Sequence, residues 1–264
     1  MFFEEARGET PYLSVPIGDQ IFFVRTDDGG VGKGIFVKGW RRDMTILDGV
    51  MARLVEYGIT LPEEPIFVDV GANIGTTTVP ALIRHRFATA VAVEPVPENV
   101  RVLRMNLVAN SLDDRAQAIF AAASDVEGEL TFDVSRKNSG GHRMADAGSE
   151  ATVTVPAVTL DGLVDRRVID VDRAGLVWID AVGNEGRILL GASKLISAGI
   201  PVVVGVRRNL PLPPEIRERV LGLVSESYTD VVELRDFLAR HPIGDFADLV
   251  DSFRHTTDLL LIRR

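Results

Sequence analysis

Phe67-Val68-Asp69-Val70-Gly71-Ala72-Asn73-Ile74-Gly75 decides the fold. A short apolar run containing one acid meets two glycines four residues apart, which turn the chain into what reads as a helix. Outward from this stretch, apolar runs alternate with helical patterns. Ile66–Val70, Ala90–Glu94, Ala116–Ala122, Leu176–Asp180 and Pro201–Val206 read as strands. Their near-continuous hydrophobicity suits a parallel sheet covered on both faces. Helices are expected after Gly75, from Pro97 to Asn110 and from Glu185 to Ala198, the last closing at Gly199. Pro80 falls in the first turns of its helix, where a missing N–H costs least. Asp230–Leu234 and Asp258–Ile262 can complete the sheet as a C-terminal antiparallel pair. The fold class is therefore α/β, with a doubly wound, mostly parallel sheet.

Residues 1–60 read differently, as an N-terminal extension or cap before a main domain over residues 61–264. Gln20–Val24 and Gly34–Val37 look like short strands separated by Asp27-Asp28-Gly29-Gly30, and a helix is expected from about Asp43 to Tyr57. Between the third and fourth strands of the main domain, Leu130 to Val158 is too long for a plain crossover. It is strand-like at both ends and polar and glycine-rich over Ser135–Glu150. A lid over a ligand cleft and an inert surface hairpin are equally good readings.

In sheets of this kind the ligand lies beyond the carboxyl ends of the strands. Gly71, Ala72, Asn73, Gly75 and Thr76 form the loop after the first strand, where the glycines permit tight turning and close approach of backbone to a ligand. N–H groups at the following helix start suit a carboxylate, and Asp69 is placed for an ammonium, directly or through water. Glu94, before Pro95 and 19 residues past Gly75, can accept both hydroxyls of a ribose. Carboxylate, ammonium and ribose together describe S-adenosylmethionine. A dinucleotide would want glycine at 71, 73 and 76, and the chain has Gly71, Asn73 and Thr76.

Composition narrows the partners. The chain has 264 residues, a net charge of −9 and 46% hydrophobic residues, so non-specific attraction to nucleic acid is not expected. It has no cysteine, which excludes disulfides, thiolate nucleophiles and cysteine-ligated zinc. His85, His142, His241 and His255 are scattered without a metal-binding spacing, and no metal is expected. No apolar run is long enough to span a bilayer, and Glu4 and Glu5 stand where a signal peptide carries basic residues. The expectation is a cytoplasmic protein with no membrane or nucleic-acid partner; its oligomeric state is left open.

The series of motifs resembles the FkbM-type S-adenosylmethionine methyltransferases, many of which methylate hydroxyls of natural products and sugars. The resemblance runs from about Pro65 to Asn209. It rests on Phe67–Gly75, on Val93-Glu94-Pro95 with Asn99 and Asn110, on Ala122-Ala123-Ser124-Asp125 with Gly128, on Thr159-Leu160-Asp161, and on Ile179-Asp180 through Gly183, Glu185 and Gly191-Ala192. It implies a Rossmann-like class I methyltransferase fold, S-adenosylmethionine as cofactor and a small hydroxylated acceptor. By the same similarity Ala123, Ser124 and Asp125 border the adenine. Thr159-Leu160-Asp161 reads as a turn and helix start rather than a catalytic element.

A hydroxyl acceptor needs a base for its proton. Asp180, at the fourth strand's end, is the foremost candidate for the acceptor side, with His142 and Glu185 as further catalytic candidates. For Glu185 a favourable position at a helix N-terminus is the stronger reading, and for His142 an exposed loop position. Against the family pattern, Val182 stands where an acid or Gln is usual, Asn184 where a small residue or His is, and Gly205 where Glu is common. Two functions follow: O-methylation of a small metabolite, natural product or sugar, or a catalytically weakened S-adenosylmethionine-binding protein with an altered acceptor site. A nicotinamide oxidoreductase is a distant third.

Overall fold

The computed structural model describes residues 2–39, 42–133, 143–144, 152–181, 183–206, 213–235, 239–252 and 257–264. The chain begins with helix α1 (Phe2–Ala6) and a hairpin of β1 (Tyr12–Ile17) and β2 (Gln20–Arg25), joined by the two-residue turn Gly18-Asp19 with Gly18 at φ +61°. β1 was not anticipated. Helices α2 (Val31–Lys38) and α3 (Arg42–Glu56) follow.

The strand expected over Gly34–Val37 is instead the body of α2, and its caps explain why. The Asp28 carboxylate accepts the N–H groups of Gly30 and Gly32 at 2.9 and 2.8 Å. At the other end Gly39, at φ +66°, donates to the Ile35 carbonyl. A four-residue apolar run fits either periodicity; the flanking Asp and Gly settle it as helix.

The main sheet is built from β3 (Ile66–Val70), β4 (Thr89–Glu94) and β5 (Ala116–Phe120), with helices α4 (Thr78–Arg84) and α5 (Pro97–Ala109) between them. At Phe120 the chain leaves this sheet. A second, four-stranded sheet follows from β6 (Ala122–Ala123), β7 (Gly128–Asp133), β8 (Arg143–Met144) and β9 (Thr152–Val158), ordered β6-β9-β7-β8. The expected third strand, Ala116–Ala122, is thus split between two sheets. The Leu130–Val158 segment has its ends paired as antiparallel strands. Apart from Arg143 and Met144, the Ser135–Glu150 stretch read as a lid lies outside the described residues.

Helix α6 (Leu160–Asp165), β10 (Ala174–Ile179), α7 (Glu185–Leu190), α8 (Ser193–Ser197), β11 (Val202–Val206), α9 (Pro214–Ser227), β12 (Asp230–Glu233), β13 (Arg240–Pro242), α10 (Phe246–Ser252) and β14 (Thr257–Ile262) complete the chain. The eight-stranded order is β13-β12-β14-β11-β10-β3-β4-β5. Its β11-β10-β3-β4-β5 part is parallel, and β14 inserts antiparallel between β11 and β12. The expected C-terminal pair is therefore present, extended by β13.

Alternate residues of each strand feed opposite cores, as the two-residue strand period requires. Phe67, Leu176, Trp178, Val203 and Leu260 face one side, together with Phe22, Leu47 and Val50 from the N-terminal segment. Val68, Val177, Val204 and Leu261 face the other, with Leu195, Val220 and Val224. The helix expected over Glu185–Ala198 breaks at Gly191, whose carbonyl accepts the Asp161 N–H at 2.8 Å instead of a helical partner, and where a Cβ would stand 2.0 Å from the Ser124 carbonyl oxygen. None of the described helices is long and apolar enough to cross a membrane.

Candidate active site

The loop after β3 is held from beneath by Asp69. This side chain is 0% exposed. Its Oδ2 accepts the hydroxyls of Thr77 at 2.6 Å and Thr78 at 2.5 Å, tying the end of the strand to the start of α4. Oδ1 is buried with no hydrogen-bond partner among the described residues. Burial pushes the carboxyl up to about 6, against the pull of the two threonine hydroxyls. Asp69 thus organises the loop directly, and its orphaned oxygen is an acceptor that a ligand ammonium or bridging water would satisfy.

Gly71 (φ +80°) and Gly75 (φ +89°) have the left-handed backbone that glycine adopts freely. Their lack of a side chain also serves contacts inside the protein. A Cβ on Gly71 would lie 2.1 Å from the Asp180 carbonyl oxygen, and one on Gly75 would lie 2.8 Å from Leu103 of α5. Asn73, between them, is itself at φ +51°. Gly71 and Ala72 both donate their N–H to the Val93 carbonyl, at 2.9 and 3.2 Å, so the loop is pinned to β4 as well. Ala72 is buried; Thr76, also buried, donates its hydroxyl to Asp43 of α3 at 3.4 Å.

Glu94, at the end of β4, is buried and accepts three hydrogen bonds from its own chain. Asn73 N–H reaches Oε2 at 2.8 Å; Val96 N–H and the Asn99 amide reach Oε1 at 3.1 and 3.0 Å. A carboxylate offers about four acceptor positions, so about one is left for an incoming hydroxyl. Burial pushes Glu94 up to about 7, opposed by these hydrogen bonds and reinforced by the charge of Asp69. Pro95, beside it, is partly exposed.

The turn after β6 brings Ala123, Ser124 and Asp125 against α7. Ala123 accepts the buried Asn184 side-chain amide at 2.7 Å, and Asp125 pairs with Arg187, whose Nη1 lies 3.1 and 3.0 Å from its two oxygens. Asn184 therefore links two strand-end loops. Glu185, at the first position of α7, is buried and accepts the Gly183 N–H at 2.9 Å, as its helix-start reading anticipates. Thr159 caps α6 through the Gly162 N–H at 2.8 Å. Asp161 accepts the Lys194 N–H at 2.9 Å and the Ser193 hydroxyl at 2.5 Å, capping α8 from a neighbouring helix. That turn is structural, as its sequence reading had it.

Asp180 follows β10 and is exposed, with its N–H on the Val70 carbonyl at 2.9 Å. It stands beside the glycine loop, as its position at the fourth strand's end implied. His142 and Val182 lie outside the described residues. Sequence reading passed over Asn106, four residues before Asn110 on α5. Asn106 donates to the Ile74 carbonyl at 2.7 Å and accepts Phe23 N–H at 2.6 Å; Asn110 accepts Ile21 N–H at 2.9 Å. The pair reaches alternate residues of β2, and their four-residue spacing on one helix face was the available signal. Asp258 and Arg235, an ion pair at 2.6 Å near the end of β11, were also passed over.

A glycine loop after the first strand of a doubly wound sheet, with an acid closing the next strand, defines a Rossmann-like fold of the class I methyltransferase kind. The family model for the methyltransferase FkbM domain matches residues 69–242, and the chain belongs to that family. No curated protein matches it by sequence. Solved structures similar to it include M. jannaschii TYW2 in complex with AdoMet, at 12% identity over 97% of this chain and 89% of that one, TM-score 0.48. Also similar are P. horikoshii TYW2 in complex with MeSAdo, at 13% identity over 96% and 72%, TM-score 0.49, and an O-methyltransferase from Bacillus cereus in complex with SAH, at 12% identity over 83% and 91%, TM-score 0.43.

Proposed function

We propose that the chain transfers a methyl group from S-adenosylmethionine to a hydroxyl of a small metabolite, natural product or sugar. The observation that supports this reading is the close packing of the Asp180 backbone carbonyl on Gly71, where a Cβ would stand 2.1 Å from it, so the acceptor-side residue adjoins the loop read as the cofactor's. The residues fit the cofactor: Asp69 keeps an orphaned acceptor behind the loop, and Glu94 has capacity for a hydroxyl. Asp69 and Glu94 would hold S-adenosylmethionine, which when bound would supply an electrophilic sulfonium methyl. Asp180 would take the proton that the hydroxyl loses, and the fixed loop would position the methyl donor.

Asp180→Asn tests this assignment. General-base loss is expected to lower kcat on a responsive hydroxylated acceptor by about 100-fold or more, with S-adenosylmethionine affinity unchanged. An unchanged kcat contradicts the role. The second reading, a cofactor-binding protein with weak transfer, is favoured by Asn184 and Glu185, whose side chains serve internal hydrogen bonds. Absence of methylation across a broad acceptor panel, with tight cofactor binding, would favour it.

A further inference from the structure

The outward face of α5 is apolar where a solvent-facing helix would be polar. Arg101, Arg104, Met105 and Val108 follow one another at helical spacing and line a groove of about 830 Å³, with Phe23 of β2 and Phe120 at the end of β5. Apart from the two arginines, every lining residue is apolar, and none is an acid. Val108 is 61% exposed and Phe120 37%, so the groove presents continuous apolar surface to solvent. From Pro97, which also lines it, to Val108 it follows the helix for about 16 Å.

Hydrogen bonds fix the groove in advance of any ligand. Asn106 accepts Phe23 N–H at 2.6 Å and donates to the Phe23 carbonyl at 3.3 Å, which holds β2 on α5. Arg104 Nη2 donates to the Ala118 carbonyl at 3.2 Å, which directs that guanidinium toward β5. Neither arginine forms an ion pair among the described residues, and both are exposed. Arg101 keeps all its donors free there, and Arg104 all but one.

Charge decides what the groove takes. The chain carries a net charge of −9, so two cations on apolar surface, with no acid beside them in the lining, are a local reversal of sign. A twofold contact between copies centred here would press both arginine pairs into one apolar interface. An anionic membrane would be repelled by the chain's net charge. A narrow anion with an alkyl tail meets neither difficulty. We propose that the groove binds a free alkyl carboxylate. The carboxylate pairs with the guanidinium groups of Arg101 and Arg104, and the tail lies along Met105, Val108 and Phe23. The site is separate from methyl transfer: neither Glu94 nor any residue of the β3 loop lines it.

The test titrates the full chain, isotope-labelled at its methionine methyl groups, with decanoate, butyrate and decyltrimethylammonium below their micelle concentrations. The Met105 resonance, assigned with Met105→Leu, reports from inside the groove. Decanoate should shift it saturably and leave Met44 and Met51 unmoved. It should bind at least about tenfold more tightly than butyrate, which lacks the tail, and than the cation, which the arginines repel. The Arg101→Gln, Arg104→Gln double variant should lower the preference for decanoate over the cation to below about threefold, and Val108→Asp should weaken decanoate binding by about fivefold or more. All these side chains are exposed, so melting temperatures should stay at the wild-type value. Equal binding of the three probes, a preference unchanged in the double variant, or shifts at Met51 in place of Met105 overturns the site. Co-sedimentation with phosphatidylglycerol vesicles that Val108→Asp abolishes would assign the groove to a membrane and overturn the free ligand. A dimer that the same substitution dissociates would assign it to a second copy and overturn it equally.

Discussion

Replacing Asp69 by Asn should stabilise the ligand-free protein at neutral and alkaline pH while weakening the site. Asp69 Oδ2 is satisfied by two threonine hydroxyls that an amide oxygen would also accept, and Oδ1 has no partner to lose. What the substitution removes is the burial of a charge. The folded carboxyl sits at about 6 against a usual value of 3.8. Because the folded value is the higher one, the fold binds the proton more tightly than the unfolded chain does. Its stabilising share is thus complete below pH 3.8 and is lost as pH rises to about 6. Converted by the energy of a pKa shift, the charged residue costs the fold on the order of 1–2 kcal/mol near pH 5 and about 3 kcal/mol near pH 8 relative to a neutral one. Urea unfolding of both proteins at these two pH values measures the difference directly. The gain in the Asn variant should roughly double between them. A gain that does not grow with pH, or a less stable variant near pH 8, refutes the buried-charge account.

Asn106→Ala should destabilise the chain by about 2–4 kcal/mol, since it strands the Ile74 carbonyl and the backbone of Phe23 together; denaturant unfolding within ~0.5 kcal/mol of wild type contradicts this. Asp161→Ala removes the cap of α8 and should cost about 1 kcal/mol, leaving kcat and KM unchanged; a large loss of kcat at unchanged stability would make the residue catalytic.

Much of the fold was legible because the residues carrying it act locally. Ile66–Val70 and Glu94 are strand and strand end as read, and Pro97 opens its helix. Asp28 was legible only as a turn residue, although its two carboxylate oxygens start a helix. The helix stops at Gly191, whose carbonyl takes the Asp161 N–H and which packs on Ser124, contacts between residues far apart in sequence that no periodicity records. The site divides in the same way. Asp69, Gly71 and Glu94 lie on one loop and the next strand end, where spacing predicts proximity. Gly205 was legible as a missing side chain, but Asp258 beside it depends on β14 inserting antiparallel next to β11. The glycines were read as clearing space for a ligand; Gly71 and Gly75 also clear it for the Asp180 carbonyl and Leu103, which spacing alone does not show.

The central claim is that S-adenosylmethionine binds over the β3 loop and Glu94. Isothermal titration of the wild type, Glu94→Ala and Asp69→Ala with S-adenosylmethionine tests it most directly. A hydrogen bond to a charged group contributes about 1.5–3 kcal/mol, so Glu94→Ala should weaken binding by roughly tenfold to 150-fold. Affinity unchanged in both variants, each shown to be folded, contradicts the site.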